Sequence, residues 1–213
     1  MMARRPRTEP KPLTRRVGVR RTRKTLLVFC EGERTEPDYL DALRREPAVR
    51  DAASVEIRID QHCAGDKPLG LVRKAIAARD REVRSGGEID EFWCVFDVEW
   101  PHTHPGLREA ARLAADHGIR LAVSNPCFEV WLVPHFADHT AWLDNDAARR
   151  LRRFHDGQAD KGLDGRRYMP HRRAAAARAA DLDRQHAKNG ADRPDDNPSS
   201  GMHLLIATVE ARD

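Results

Sequence analysis

The sequence predicts an α/β protein with a mainly parallel four-stranded sheet, flanking helices and a helical C-terminal extension. Three observations support this prediction. Continuous apolar runs at 25–30 and 91–96 have the composition of strands buried on both faces of a sheet. Residues 55–60 and 119–123 also have strand character. Helical patterns separate the four segments, and such alternation favours right-handed crossovers and parallel pairing.

Each element has its own local signal. The first strand ends at Cys30, and a helix follows from Thr35, a plausible N-cap, with Pro37 in its first turn. Residues 55–60 alternate between apolar and polar, which indicates a strand nearer the sheet edge. The other core elements are a helix from Pro68 to about Val83, a third strand at 91–96, a helix from Pro105 to Gly118 and a fourth strand at 119–123.

The pattern becomes helical after the fourth strand. We expect helices at 128–136, 142–154 and 174–188 and a closing helix from about Gly201, with polar loops at 155–170 and 189–200. The resulting organisation is a disordered basic tail at 1–23 and a single domain at 24–213, divided into a core at 24–136 and a helical extension at 137–213.

Charge is distributed unevenly along the chain. The net charge of +4 hides a basic segment at 1–24, which has ten Lys and Arg residues and one acid. The remainder has 28 basic and 33 acidic residues. A basic arm of this kind raises affinity for nucleic acid by releasing counterions, although a solvated leader without a partner would have the same composition.

No apolar stretch is long enough to span a membrane, and no Cys-x-x-Cys pair indicates a zinc site. Cys30 and Cys94 end apolar runs, as small buried hydrophobes do. We therefore expect a soluble, cytoplasmic protein without disulfides.

Acidic residues follow two of the predicted strands. Glu31 comes directly after the first strand, and Asp97 and Glu99 follow the third. Because parallel strands end at the same edge of a sheet, these side chains should converge there. Carboxylates are suitable ligands for Mg²⁺ or Mn²⁺, which could activate water against a phosphodiester. Acids are also common in loops, so the Asp-x-Glu spacing alone would be weak.

Four neighbouring residues have more than one interpretation. Glu129 follows the fourth strand, where it could assist the site as a ligand or base, or simply complement a helix dipole. Glu36 falls in the first turn of a predicted helix, where capping accounts for it. His102 and His104 could be metal ligands or proton carriers, but loop histidines are usually neither.

Several basic residues are candidates for nucleic-acid binding. Lys161, Arg166 and Arg167 lie in a predicted loop where they could clamp a phosphate, or remain solvated. Lys67, in the loop after the second strand, is a weaker candidate of the same kind. The tail could follow a nucleic-acid backbone through Arg20, Arg21, Arg23 and Lys24.

Four segments give the sequence a family resemblance. These are Phe-Cys-Glu-Gly-Glu-Arg-Thr-Glu-Pro at 29–37, Trp-Cys-Val-Phe-Asp-Val-Glu at 93–99, Ser-Asn-Pro-Cys-Phe-Glu-Val-Trp-Leu at 124–132 and Asn-Pro-Ser-Ser at 197–200. A glutamate after one strand and an acid-x-acid pair after another look like the Toprim arrangement. The four segments together resemble the RloB-like family of bacterial proteins associated with restriction and abortive-infection loci.

The resemblance implies a Toprim-like fold and metal-dependent cleavage of RNA or DNA in phage defence. Glu31, Asp97 and Glu99 would match the Toprim acids, although Toprim sites more usually have Asp at the place of Glu99. An alternative is a non-catalytic nucleic-acid sensor or a partner of a separate ATPase. The chain has no Gly-x-x-x-x-Gly-Lys-Ser/Thr loop, so an ATP-driven step would require that second protein.

Overall fold

The structure, a computed structural model, describes residues 24–50, 55–60, 62–158, 162–193 and 195–211. The tail predicted at 1–23 lies outside these residues. Helices alternate with strands through the first half of the chain, and helices predominate in the second half. Within the described part of the chain, no helix combines the length and apolar character needed to cross a bilayer.

In the part of the chain that the structure describes, the sheet has five strands in the order β2-β1-β3-β4-β5. The first four pair in parallel, and they are β1 (Lys24–Cys30), β2 (Val55–Asp60), β3 (Glu91–Asp97) and β4 (Arg120–Asn125). The prediction of four strands is wrong by one, because β5 (Ser199–Ser200) pairs antiparallel with β4. Two serines give no periodic signal, which is why the sequence pattern indicated a loop there.

The sheet is packed on both faces, and period-two alternation in β1 and β3 divides their side chains between two cores. Leu26, Val28 and Trp93 belong to one core, and Phe29 and Cys94 belong to the other. Helices cover both faces: α1 (Thr35–Arg45), α2 (Pro47–Arg50), α3 (Pro68–Ser85), α4 (Leu107–Asp116) and α5 (Glu129–Leu132), which continues into a 3₁₀ turn at Val133–His135.

The helices of the C-terminal part of the chain follow, and most of them pack on the core that contains Leu26, Val28 and Trp93. They are α6 (Asn145–Asp156), α7 (Gly165–Tyr168) with a 3₁₀ turn at Met169–His171, α8 (Arg172–Lys188) and α9 (Met202–Glu210). Ala175 of α8 and Leu205 of α9 share a core with Leu26 of β1. Gly201 makes this possible, since a Cβ there would lie 3.0 Å from the Ala122 Cα of β4.

Three local predictions differ from the structure. The predicted loop at 155–170 contains the end of α6 and all of α7, and Tyr168 is fully buried there. The predicted helix at 142–154 begins later, at Asn145, because Asp144 is its N-cap and accepts a hydrogen bond from the Ala147 N–H. Thr35 is not the cap of α1, whose N-cap Arg34 makes no side-chain cap bond.

Candidate active site

The carboxyl ends of β1, β3 and β4 meet at one edge of the sheet, where backbone hydrogen bonds fix the loops that follow them. Glu31 N–H donates to the Val95 carbonyl over 3.0 Å, and Val98 N–H donates to the Ser124 carbonyl over 2.9 Å. The residue that follows each strand is therefore held in register with the neighbouring strand. This edge is where open α/β sheets present their ligand-binding loops.

Glu31 is the link between the β1 and β3 loops. Its Oε2 accepts a hydrogen bond of 3.1 Å from the Asp97 N–H. Burial raises the pKa of Glu31 to about 7. The hydrogen bond from the Asp97 N–H lowers this pKa, and the nearby Glu99 carboxylate raises it. His104 Nε2 lies 2.7 Å from the other carboxylate oxygen, Oε1.

Asp97 is an acid with an unsatisfied carboxylate oxygen at this edge. Its Oδ1 is buried and has no hydrogen-bond partner among the described residues. Burial raises the pKa of this carboxyl well above its usual range, and the charges of Glu36, Glu129 and Glu31 add to the rise, against a backbone bond from Phe128. An ionised Asp97 therefore lies among acids without a compensating cation, which is an unfavourable arrangement for a purely structural carboxylate.

Glu36 is an acid that sequence reasoning assigned to helix capping. The structure instead buries it, with 6% exposure, within electrostatic reach of Glu129, Asp97 and Glu31. Burial raises its pKa to about 7, while backbone hydrogen bonds involving its own amide and Gly32 lower it. Glu36 folds back over Gly32, where an added Cβ would lie 2.0 Å from its Oε2.

The glycine before the helix is the signal that could have identified Glu36. A residue with a side chain at position 32 would collide with the carboxyl group, so the Glu-Gly-x-x-x-Glu spacing leaves space for this fold-back. Distinguishing this arrangement from ordinary capping requires the direction of the turn after β1. That direction is set by tertiary packing and is not contained in the sequence spacing.

Glu99 reaches the same edge through an unusual backbone conformation. Its φ of 63° is the one positive value among the described non-glycine residues, and its N–H donates to the Pro126 carbonyl over 2.9 Å. Its carboxylate accepts a 2.6 Å hydrogen bond from the Asn145 side-chain amide and raises the pKa of Glu31. Asn145, at the start of α6, is thus a site residue that the sequence did not single out.

The two Asn-Pro segments meet beneath this edge. The Asn197 side-chain N–H₂ donates to the Asn125 side-chain oxygen over 3.3 Å, and the same side chain exchanges hydrogen bonds with both backbone groups of Leu143. Ser124 and Ser200 hydroxyls lie 3.0 Å apart alongside. The end of β4 and the residues before α6 are therefore fixed by the last loop of the described chain.

The four predicted acidic site residues, Glu31, Asp97, Glu99 and Glu129, therefore come together at one edge, with Glu36 as a fifth acid. His104 joins them through Glu31, while His102 is exposed in the loop after β3. Lys67 precedes α3 and is exposed, and its charge lowers the pKa of His104, although burial contributes more to that lowering.

The other predicted basic residues lie elsewhere or outside the described part of the chain. Lys24 is at the opposite end of β1, with its Nζ 2.6 Å from Glu91 Oε1. Arg166 lies in a groove whose lining includes Asp38, Asp41 and Glu46. Arg167 donates to the main-chain carbonyls of Asp156 and His155. Those outside the described residues are Lys161, Arg20, Arg21 and Arg23.

The acids suit a divalent cation by their chemistry, but they form no closed cage. Among the described residues, no three His, Cys, Asp or Glu side chains are placed to hold one metal ion together. Mg²⁺ commonly keeps several waters and uses only one or two protein carboxylates, and the unpartnered Oδ1 of Asp97 has the chemistry of such a ligand. The residues therefore fit a sparsely coordinated, hydrated Mg²⁺ or Mn²⁺.

These features define an α/β protein with an acidic site at the carboxyl edge of a mainly parallel sheet. The chain belongs to the RloB-like family, since the family model described as RloB-like protein matches residues 26–209. That span runs from β1 into α9 and includes every acid of the site. Comparisons with curated proteins and with solved structures find no match to this chain.

Proposed function

We propose that this protein is a divalent-metal-dependent nuclease that cleaves RNA or DNA, with a Toprim-like arrangement of acids. The observation that supports this most strongly is Asp97, a carboxylate with a buried, unpartnered oxygen among other acids. Such a group costs folding free energy when it is ionised, and either a proton or a bound cation removes that cost. An acidic strand-end site in this family of α/β proteins is the expected setting for phosphodiester chemistry.

The acids have different roles in this proposal. Asp97 and Glu31 would hold Mg²⁺ or Mn²⁺, with Glu99 beside Glu31, and Glu129 would assist from the start of α5. The bound cation supplies polarisation of the phosphodiester and a lower pKa for a water molecule. Glu36 makes no direct contact in this scheme, but its buried charge increases the attraction of the site for a cation.

Glu31 and His104 also suit proton transfer. The pKa of about 7 belongs to Glu31 without a metal ion, and a bound cation would keep this carboxyl ionised. Burial keeps the pKa of His104 below its ordinary value, which favours the neutral imidazole, and its Nε2 faces the Glu31 carboxyl. With the two groups 2.7 Å apart, the pair could take a proton from attacking water.

The test is cleavage of labelled tRNA, single-stranded RNA and plasmid DNA by purified protein in Mg²⁺, Mn²⁺ or EDTA. We expect cleavage of at least one substrate with metal, none in EDTA, and none with Asp97→Asn, which keeps the size of the side chain. Glu109→Gln, on the exposed surface of α4, is the matched control and should cleave normally. Metal-independent cleavage that survives Asp97→Asn would refute the proposal.

A second candidate is a non-catalytic nucleic-acid sensor or a partner of a separate ATPase. The absence of a three-ligand metal group among the described residues favours it. It predicts metal-independent nucleic-acid binding with no cleavage under any of the conditions above. Either function would suit a cytoplasmic role in anti-phage defence, the setting that the family resemblance implies. Phage plating efficiency on cells with the wild-type or Asp97→Asn gene tests that role.

A further inference from the structure

Two exposed tryptophans form a pair beside the acidic site. Trp100 is 40% exposed and Trp142 is 56% exposed. Their ring centroids are 5.8 Å apart and their planes are perpendicular. The other large exposed hydrophobic residues among those described are Val83, Phe154 and Leu204, and none of them has a ring contact with this pair.

Both rings are attached to rigid parts of the site. Trp100 follows Glu99, whose backbone is fixed by the Pro126 carbonyl and whose carboxylate is fixed by Asn145. Trp142 precedes Leu143, whose two backbone groups bond to the Asn197 side chain. The Glu99–Asn145 hydrogen bond therefore joins the two segments from which the rings project. The chain next to each ring is fixed in this way, and much of the surface of the rings is exposed.

The exposed area of these rings needs an explanation in terms of a ligand. Tryptophan buries more apolar surface than almost any other side chain, and leaving two of them in water forgoes that stabilisation. An edge-to-face pair leaves ring surface open on both partners. The flanking residues include the small apolar Pro101 and Ala141 and the polar His102, Thr103 and Thr140, all exposed, so the two rings make up most of a small apolar patch. A patch of this size suits one planar group better than a protein partner.

We propose that Trp100 and Trp142 stack an unpaired nucleobase at the rim of the acidic site. The proposal rests on the proposed function for the identity of the ligand as nucleic acid. Stacking on aromatic rings tolerates any base and requires that the base be unpaired. With the base held next to Glu99, the adjoining phosphodiester lies toward Glu31 and Asp97. The substrate class would thus be single-stranded nucleic acid, or a loop within folded RNA.

The experiment measures binding without cleavage. Protein in EDTA is titrated with an oligouridylate of about ten nucleotides, within the usual site sizes for single strands. Tryptophan fluorescence and fluorescence anisotropy of a labelled strand report the complex. We expect Trp100→Ala and Trp142→Ala each to weaken binding about tenfold, the order of magnitude for one base–aromatic stack. Trp100→Phe should recover most of the affinity, because phenylalanine retains a flat ring.

Three controls distinguish stacking from other effects. Phe154→Ala removes a more exposed aromatic ring nine residues after Asn145, about 13 Å along α6, and should leave binding unchanged. An abasic strand and a duplex of the same length should bind wild type and both tryptophan variants alike. Circular dichroism and thermal unfolding confirm that the variants fold.

The outcomes separate this proposal from the nuclease proposal. Equal weakening with the abasic strand, or no weakening with either alanine variant, overturns the stacking role even if the protein cleaves nucleic acid. Base-dependent binding without cleavage under any metal condition supports stacking and removes the nuclease. If the variants change only sedimentation, from a self-associated to a smaller species, then the rings cover a second copy of the chain and the proposal is wrong.

Discussion

The protein buries acidic groups in two regions, which differ in the hydrogen-bond donors that surround the carboxylates. In the first, between α6 and α7, Asp156 is 1% exposed and accepts hydrogen bonds from Arg152, Tyr168 and the Gln158 N–H. In the second, at the carboxyl edge of the sheet, Glu31, Glu36 and Asp97 lie close to one another, and no Lys or Arg among the described residues forms an ion pair with them. In the first region, the hydrogen bonds of Asp156 with Arg152 and Tyr168 join α6 to α7.

The difference indicates what each region is for. A buried carboxylate that contributes to the fold is surrounded by donors, since an unpaired charge in the interior is destabilising. The strand-end acids lack that set of donors, so they gain most from a cation that arrives after folding. Four predictions test this contrast, starting with the largest expected effect.

Arg152→Met should lower the free energy of unfolding by about 3–5 kcal/mol, because it leaves the Asp156 carboxylate buried without its guanidinium. Urea denaturation at pH 7 measures the loss. Arg166→Met is the matched control, since its side chain is 93% exposed and its ion pair with Asp164 lies at the surface, so the change should be below about 0.5 kcal/mol. Equal losses in the two variants would mean that the α6–α7 network is not a structural centre.

Asp97→Asn should reduce metal-dependent cleavage by more than the roughly 10–100-fold typical of groups one step removed from a metal. The same change should leave the free energy of unfolding unchanged or raise it, because a neutral amide replaces an acid that burial disfavours. Single-turnover cleavage and urea denaturation of the same preparations check both parts. A large loss of stability with unchanged cleavage would give Asp97 the structural role of Asp156.

Glu36→Gln should stabilise the protein at pH 8 by about 1–3 kcal/mol and much less at pH 5. The carboxyl has a pKa of about 7 in the folded protein and 4.5 as its ordinary value. The folded state therefore binds more protons between these values, and wild-type stability falls as the pH rises through that window. Thermal unfolding from pH 5 to 8 follows the difference.

The control for this pH effect is Glu33→Gln, which removes an exposed acid from the same loop and should change stability by less than about 0.5 kcal/mol at both pH values. Mg²⁺ should raise the unfolding temperature of wild type at pH 8 more than that of Glu36→Gln. A pH-independent effect of Glu36→Gln would show that its carboxyl does not interact with the other acids as the structure indicates.

Lys67→Ala should weaken nucleic-acid binding a few-fold, and equally for all sequences. It should also reduce the slope of the logarithm of the binding constant against the logarithm of salt concentration by about one unit. Lys67 is the exposed cation beside His104, at the same edge as the acids. Arg166→Ala should have no such effect, because Asp38, Asp41 and Glu46 line the groove around it and repel phosphate. Fluorescence anisotropy titrations at several salt concentrations compare the two variants. A larger loss of binding with Arg166→Ala than with Lys67→Ala would place the phosphate path along α7.

Sequence periodicity predicted the site's scaffold better than its details. The buried runs of β1 and β3 fix where each strand ends, and that alone places Glu31 and Asp97 at one edge. Phe128 and Trp131, within the segment predicted as a helix at 128–136, pack in the core and are at most 1% exposed.

The errors concern contacts that depend on the direction of a turn or on a distant partner. Glu36 turns back over Gly32, and Asn145 reaches Glu99 across 46 residues of sequence. The predicted loop at 155–170 concealed Asp156 and Tyr168, whose hydrogen bond positions α7 although the sequence of α7 has no apolar periodicity. The contacts of Asn145 with Glu99 and of Tyr168 with Asp156 join residues far apart in sequence, so no local pattern marks them.

The dependence of Leu143 on Asn197 has a consequence for the order in which the protein is made. The ribosome synthesises every acid of the edge, and both tryptophans, before it reaches Asn197, β5 and α9. Until then the backbone of Gly201 cannot pack against Ala122, and Leu143 cannot form its hydrogen bond with the Asn197 side chain. We therefore expect the acidic edge of a nascent chain to stay incompletely fixed until α9 has emerged from the ribosome.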